Sequence, residues 1–242
     1  MDWTFGIITA GNEWKRISII CDTIRNNAED NYYDNDQIVV VGGENIPVDM
    51  IERHGIVHIP FREDVKAGWI TRKKNLIAQV AYHENICMLH DYVGLEKDWQ
   101  KGFEEFGDDW LTCITPIKNQ DGERFRDWCV IYNDSWMNPP IDDQSPPGSI
   151  PGRLLEYGTR GHERWQYYSG AYYCVKKEVA LALPLDENRG WGQGEDVQWS
   201  RLLYQKYGRE VFNLNEHSPV RFLKQKENAP WEKFVPLGDT NG

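Results

Sequence analysis

Apolar residues along the chain alternate between continuous runs and helix-spaced sets. Trp3 to Thr9 (WTFGIIT) is a β-rich apolar run that stops at Ala10-Gly11-Asn12. Behind it, Trp14, Ile17, Ile20, Cys21 and Ile24 recur at helical spacing, which predicts a helix over Glu13 to Asn26. Gln37 to Val41 (QIVVV) is apolar without alternation and closes on Gly42-Gly43, the pattern of a strand buried on both faces. Val57 to Phe61 predicts a third strand. Ile70 to Tyr82 predicts a helix with Ile70, Ile77, Val80 and Ala81 on one side, and Asn85 to Leu89 the strand after it. Strands alternating with helices imply a largely parallel, right-handed α/β sheet. Ligands bind such sheets beyond the carboxyl ends of the strands, here Thr9-Ala10-Gly11, Gly43-Glu44 and His90-Asp91-Tyr92.

The second half has a different texture. Trp110 to Thr115 and Trp128 to Tyr132 read as an antiparallel pair around the polar turn Lys118 to Glu123. Asn133 to Arg164 holds five prolines and no periodicity, the signature of a long loop that closes over a site or stays disordered. Tyr167 to Val175 (YYSGAYYCV) resumes as one strand with Ser169 and Gly170 at its middle. Small residues there admit either a ligand or a tightly packed neighbour. From Lys224 onward the chain is polar, with Trp231 docking a tail.

Composition narrows the function. The 242 residues, 40% hydrophobic and 13% aromatic, can fill one large core. A net charge of -11 opposes nucleic-acid and anionic-lipid binding, although a local basic patch can still hold a phosphate. No run reaches the roughly 20 apolar residues of a transmembrane span, and MDWTFGIITAG lacks the basic start of a signal peptide. Five scattered cysteines without a CxxC spacing fit buried thiols in a reducing cytoplasm.

The chemistry concentrates in RGWGQGEDVQW, Arg189 to Trp199. Glu195 and Asp196 open a helix that carries Trp199, Leu202, Leu203 and Tyr207 and stops at Gly208. Two acids in a first turn complement the helix dipole, which by itself accounts for them. The alternation of Gly190, Gly192 and Gly194 is not explained that way. It suits backbone passing close to a bound molecule, with Trp191 offering a flat face to a sugar ring. On a helical wheel Lys73 falls inside the apolar stripe of Ile77 and Val80, so its charge either snorkels to solvent or meets a partner.

GWGQGEDVQWSRLL together with SGAYYCVKKEVALALPLDENR resembles the carboxyl-terminal half of GT-A fold glycosyltransferases. In that family a small-residue strand leads to a Gly-Trp-Gly segment, a Glu-Asp pair and a helix. Lys73-Lys74-Asn75 lies where many inverting members carry an Arg-Asn pair. The resemblance runs over roughly Trp3 to Lys224. It implies an α/β fold, a GT-A-like Rossmann-type mixed sheet with helices on both faces, in a single domain with an antiparallel acceptor-side extension. Residues 1–100 would form the nucleotide-binding half, residues 101–224 the acceptor half with loop 133–164, and residues 225–242 a tail.

The resemblance also implies an activity: transfer of a sugar from a nucleotide diphosphate sugar, a UDP-sugar, to a glycan or other hydroxyl acceptor. Asp196 or Glu195 would be the general base, with inversion at the anomeric carbon. Donor-binding residues would be Thr9, Ala10, Gly11, Glu44 at the uracil or ribose, Lys73, Lys74, His90 and Asp91. Ser169, Gly170, Trp191, Gly192 and Trp136 would contact the sugar or acceptor. The family's Asp-x-Asp metal motif is degenerate here: MLHDYVGLEKDW retains Asp91 with His90 before it. His217 matches a metal-binding histidine of several GT-A families, so His90, Asp91 and His217 would hold Mn2+ or Mg2+. Without an ion, Arg72, Lys73, Lys74 and Arg221 are the cations to replace it. A non-catalytic sugar-binding protein and a nucleotidyltransferase are the competing classes. Against the latter, TAGNEWKR lacks a Gly-rich triphosphate loop.

Overall fold

The protein is described from a computed structural model, which covers residues 1–27, 35–131, 152–159 and 165–227. A seven-stranded mixed sheet forms its centre. Strands β1 (Trp3–Ile8), β2 (Gln37–Val41), β3 (Ile56–Ile59) and β4 (Asn85–His90) run parallel, linked through helices α1 (Trp14–Asn26), α2 (Val48–His54) and α3 (Ile70–Val80). The predicted boundaries hold within a few residues; α2 was missed because a seven-residue helix offers too few apolar repeats to read. It stops at Gly55, whose left-handed φ of 63° ends the helix at little cost.

After β4 the chain forms β5 (Val93–Leu95), α4 (Trp99–Phe106), β6 (Thr112–Ile114), β7 (Ile117–Lys118), β8 (Cys129–Ile131), β9 (Gly152–Leu154), β10 (Gln166–Tyr167) and β11 (Tyr172–Lys176). Then come α5 (Lys177–Ala182), α6 (Glu195–Tyr207), β12 (Phe212–Leu214) and β13 (Val220–Phe222). The sheet order is β12-β6-β11-β4-β1-β2-β3, with β11 antiparallel to both β4 and β6. Two three-stranded sheets, β10-β8-β9 and β5-β13-β7, flank it.

Two expectations for the second half are corrected. The segments around Thr112 and Cys129 do not pair with each other: β6 joins the central sheet beside β11 and β12, and β8 joins β9 and β10. Both are short apolar strands whose partners lie far away in sequence, and local alternation carries no information about such pairing. The expected single strand over Tyr167 to Val175 is two strands, β10 and β11, broken at Ser169-Gly170.

Every residue of β1 is buried. Trp3 packs among Phe5, Trp99, Phe103 and Trp110 at ring separations of 4.8 to 6.2 Å. On the opposite face, a Cβ at Gly6 would sit 2.3 Å from Ile77 Cγ2, so α3 lies directly on the sheet. That contact fixes the height of α3, and with it Lys74, above the strands. Val80, expected on the buried side of α3, is instead 39% exposed at the helix end. All five cysteines are buried and free.

Candidate active site

The strand ends meet as the sequence implied. Ile8 pairs with His90 across β1 and β4, Asp91 N–H donates to Ile8 O (3.1 Å), and Thr9 N–H donates to Val41 O (3.0 Å). The Thr9 hydroxyl donates to Asp91 Oδ2 (2.7 Å) and accepts Gly11 N–H (3.0 Å), joining two strand ends through side chains.

The start of α6 reaches the same place because α3 holds the segment before it. Trp69 Nε1 donates to Glu187 O (2.8 Å), Thr71 Oγ1 to Arg189 O (2.7 Å) and Asn75 Nδ2 to Leu185 O (2.9 Å). Arg72 pairs with Glu187 at 2.9 Å. Trp191 N–H then donates to Gly68 O (2.9 Å), which leaves its indole 69% exposed. Gly192 and Gly194 have φ of 76° and 64°, a left-handed backbone that glycine enters without strain. Two of the three alternating glycines thus have a backbone cause, and at Gly190 a Cβ would lie 3.1 Å from Gly68 O. Gly194 directly precedes α6, so that turn aims the acids.

Asp196 accepts from Gly170 N–H on Oδ2 (2.8 Å) and from Val197 N–H on Oδ1 (2.9 Å), which fixes its carboxylate while the residue keeps part of its surface exposed. Glu195 is buried. Desolvation, and secondly the neighbouring Asp196 charge, push its pKa up to about 7 against the opposing pull of Lys74. Lys74 is also buried; its Nζ donates to Gly170 O (2.6 Å) and stands 3.9 Å from Glu195 Oε1. Burial lowers the Lys74 pKa, and Glu195 and Asp196 oppose that shift. A Cβ at Gly170 would lie 2.7 Å from Glu195 Oε1 and 3.2 Å from Asp196 Cβ. The absence of a side chain at Gly170, between β10 and β11, is therefore explained by the acids packed against it.

A cleft of about 160 Å³ lies above these groups. Glu195, Asp196, Gly170 and Ser169 line one side and His90 and Tyr92 another, with Trp191 and Gly192 at its edge. The His90 imidazole is held well below its usual range, chiefly by burial and then by Lys74, Lys226, Lys224 and Lys73, so it is neutral. Its Nε2 is buried with no hydrogen-bond partner among the described residues.

Other expected residues sit elsewhere. Lys73 neither snorkels nor faces the cleft: it is buried, ion-paired to Glu63 and donating to Thr9 O (2.5 Å). Ala10 is exposed at the strand tip, and Gly11 packs against Gly43. Glu44 pairs with Arg62 at 3.2 Å, both exposed. Trp136 lies outside the described residues. His217 does not fold back to Asp91. It is exposed, its N–H bonds Asn215 Oδ1 (3.0 Å), and its carbonyl lies against Gly102 of α4.

Among the described residues no three His, Cys, Asp or Glu side chains converge as a metal-ligand set. Asp91 commits one oxygen to Thr9, and the neutral His90 sits under four lysine charges. Among the described residues, therefore, the expected His90-Asp91-His217 set does not form.

The cleft also contains residues that the sequence reading passed over. Arg126 and Lys226 line it, and Lys224 stands over Tyr92 at 4.1 Å from the ring centroid. The alternation Lys224-Gln225-Lys226 directly after the VRF strand was the available signal, since alternate residues of an extended segment share a face.

No family model matches the chain, and no curated protein matches it. Solved structures do. The crystal structure of GalNAc-T7 with UDP, GalNAc and Mn2+ superposes with a TM-score of 0.61 at 12% identity, over 94% of this chain and 45% of that chain. S. aureus TarS 1-349 in complex with UDP gives 0.59 at 12%, over 91% and 60%. Glucosyl-3-phosphoglycerate synthase from Mycobacterium tuberculosis, in complex with Mn2+, UDP and phosphoglyceric acid, gives 0.53 at 11%, over 94% and 71%. The chain spans less than half of the GalNAc-T7 chain. At these identities the likeness is one of fold: this chain has a GT-A-type α/β fold. Among the described residues no helix is long and apolar enough to cross a membrane.

Proposed function

We propose that the chain transfers a sugar from a UDP-sugar to an acceptor hydroxyl, with Asp196 as general base and inversion at the anomeric carbon. The observation that carries the reading is the Asp196 carboxylate, fixed by two backbone N–H groups on the wall of a cleft at the strand ends. A base must be ionised, oriented and within reach of the hydroxyl. Asp196 meets the last two conditions better than Glu195, which is enclosed beside Lys74. UDP accompanies all three similar structures, which supports the donor class.

In the reaction the acceptor O–H proton passes to Asp196 and the acceptor oxygen bonds to the anomeric carbon. The bond from that carbon to the β-phosphate oxygen breaks, and its electrons leave with UDP. In this reading attack is direct, so the configuration at the anomeric carbon inverts. Trp191 offers its exposed indole to the sugar's C–H face. Lys74 and Gly170 hold the acids in place.

A screen of nucleotide sugars for transfer and slow hydrolysis, with manganese and with chelator, tests the reading. UDP release from at least one UDP-sugar is expected; sugar binding without turnover of any donor would instead identify a non-catalytic carbohydrate-binding protein.

A further inference from the structure

The sequence offered four cations to replace a metal, and all four are committed elsewhere. Arg72 pairs with Glu187, Lys73 with Glu63, Lys74 bonds Gly170 O beside Glu195, and Arg221 pairs with Glu96 at 2.5 Å. The cleft nevertheless has its own positive charge, from the stretch between β7 and β8 and from the segment after β13.

That second segment is held in register. Leu223 N–H donates to Tyr92 O (2.8 Å), Lys226 N–H donates to Asn119 Oδ1 (2.9 Å), and Asn119 Nδ2 donates back to Lys226 O (2.5 Å). Gln225 turns outward to Asp121 (2.6 Å). Lys224 and Lys226 therefore share the other side, with their ammonium groups 4.1 and 5.1 Å from the centroid of the Tyr92 ring. Tyr92 packs 5.4 Å from His90, and Arg126 lines the same cleft. Two ammonium groups over one ring repel each other. Among the described residues Lys224 has no carboxylate partner, in a chain whose acids outnumber its Lys and Arg by 38 to 27. Like charges gathered against the global balance fit an anion between them.

We propose that Lys224, Lys226 and Arg126 form the diphosphate-binding end of the cleft and neutralise the leaving group in place of a divalent ion. The inference rests on the glycosyltransferase reading for the source of the diphosphate. Its physics requires only a diphosphate anion. Charge-assisted hydrogen bonds from Lys and Arg stabilise the oxygen on which charge develops as the sugar departs.

The test is calorimetric titration of UDP, uridine and inorganic pyrophosphate into the full chain in excess chelator. The variants are Lys224→Gln/Lys226→Gln and the charge-preserving Lys224→Arg/Lys226→Arg, each checked for native circular dichroism. UDP and pyrophosphate should bind wild type without metal. The glutamine variant should lose about tenfold or more in affinity for both, the arginine variant should recover most of it, and the affinity for uridine should stay unchanged. Unaltered diphosphate affinity in the glutamine variant, or wild-type binding that is absent in chelator, overturns the proposal. Metal-free pyrophosphate binding that depends on the lysines, with no sugar transfer from any donor, would leave this site standing and remove the transferase reading. Manganese-dependent transfer unaffected by the lysines would do the reverse.

Discussion

The Gly170 N–H donates to Asp196 Oδ2 at 2.8 Å, and the Gly170 carbonyl accepts from Lys74 Nζ at 2.6 Å. One residue thus ties the break between β10 and β11 to the first turn of α6 and to α3. Gly170→Ala would place a methyl 2.7 Å from Glu195 Oε1 and 3.2 Å from Asp196 Cβ. Overpacking of this kind costs about 1 to 3 kcal/mol. The expected result is a lower urea midpoint together with a fall in kcat larger than the stability loss explains, because the methyl crowds Asp196, the proposed base, as well as Glu195.

Lys74 and Glu195 are a buried pair with Lys74 as the only ammonium within ion-pair distance of Glu195 among the described residues. Lys74→Met should destabilise the protein by about 3 kcal/mol at pH 8, where Glu195 is left as an uncompensated buried charge. At pH 5 the loss should shrink, since Glu195 takes up a proton. In a double-mutant cycle measured by denaturant unfolding, Glu195→Gln should recover much of the loss. Additive losses would show that the two groups are not coupled.

The raised Glu195 pKa makes stability depend on pH with a definite sign. Its pKa moves from 4.5 in the unfolded chain to about 7 in the fold, so in that window the folded state binds more protons. This contribution is fully present below pH 4.5 and declines as pH rises through 7, by about 3 kcal/mol in all. Urea unfolding of wild type across this range, compared with Glu195→Gln, should show that part of the decline vanish in the variant.

Trp191 is exposed, and its place in the fold is set by its backbone N–H on Gly68 O. Trp191→Ala should leave stability within about 0.5 kcal/mol of wild type. In steady-state kinetics it should raise KM for donor or acceptor. A large fall in the unfolding midpoint would mean that the ring supports the fold.

The sequence was most legible where structure is local. The β1-α1-β2 unit, β4 and α6 came from periodicity and stop signals, and the meeting of strand ends with the α6 acids followed from the α/β rule together with the family resemblance. Placement of short strands was not legible: β6 and β8 look alike in sequence yet enter different sheets. Lysine roles were hidden for a similar reason. Lys73 and Lys74 are neighbours on one helix, yet their partners, Glu63 and Gly170, come from other segments of the chain. The expected three-residue ligand set is not formed because, at His217, resemblance in chain position did not carry over to position in space.

Asp196→Asn is the most direct measurement of the central claim, made on whichever UDP-sugar the wild type turns over and beside Glu195→Gln. The account predicts a folded Asp196→Asn protein that still binds UDP and whose kcat falls by about 10² to 10⁴, with a smaller loss for Glu195→Gln. Undiminished turnover in Asp196→Asn would contradict it, because the carboxylate held at the cleft wall would then have no part in taking the acceptor's proton.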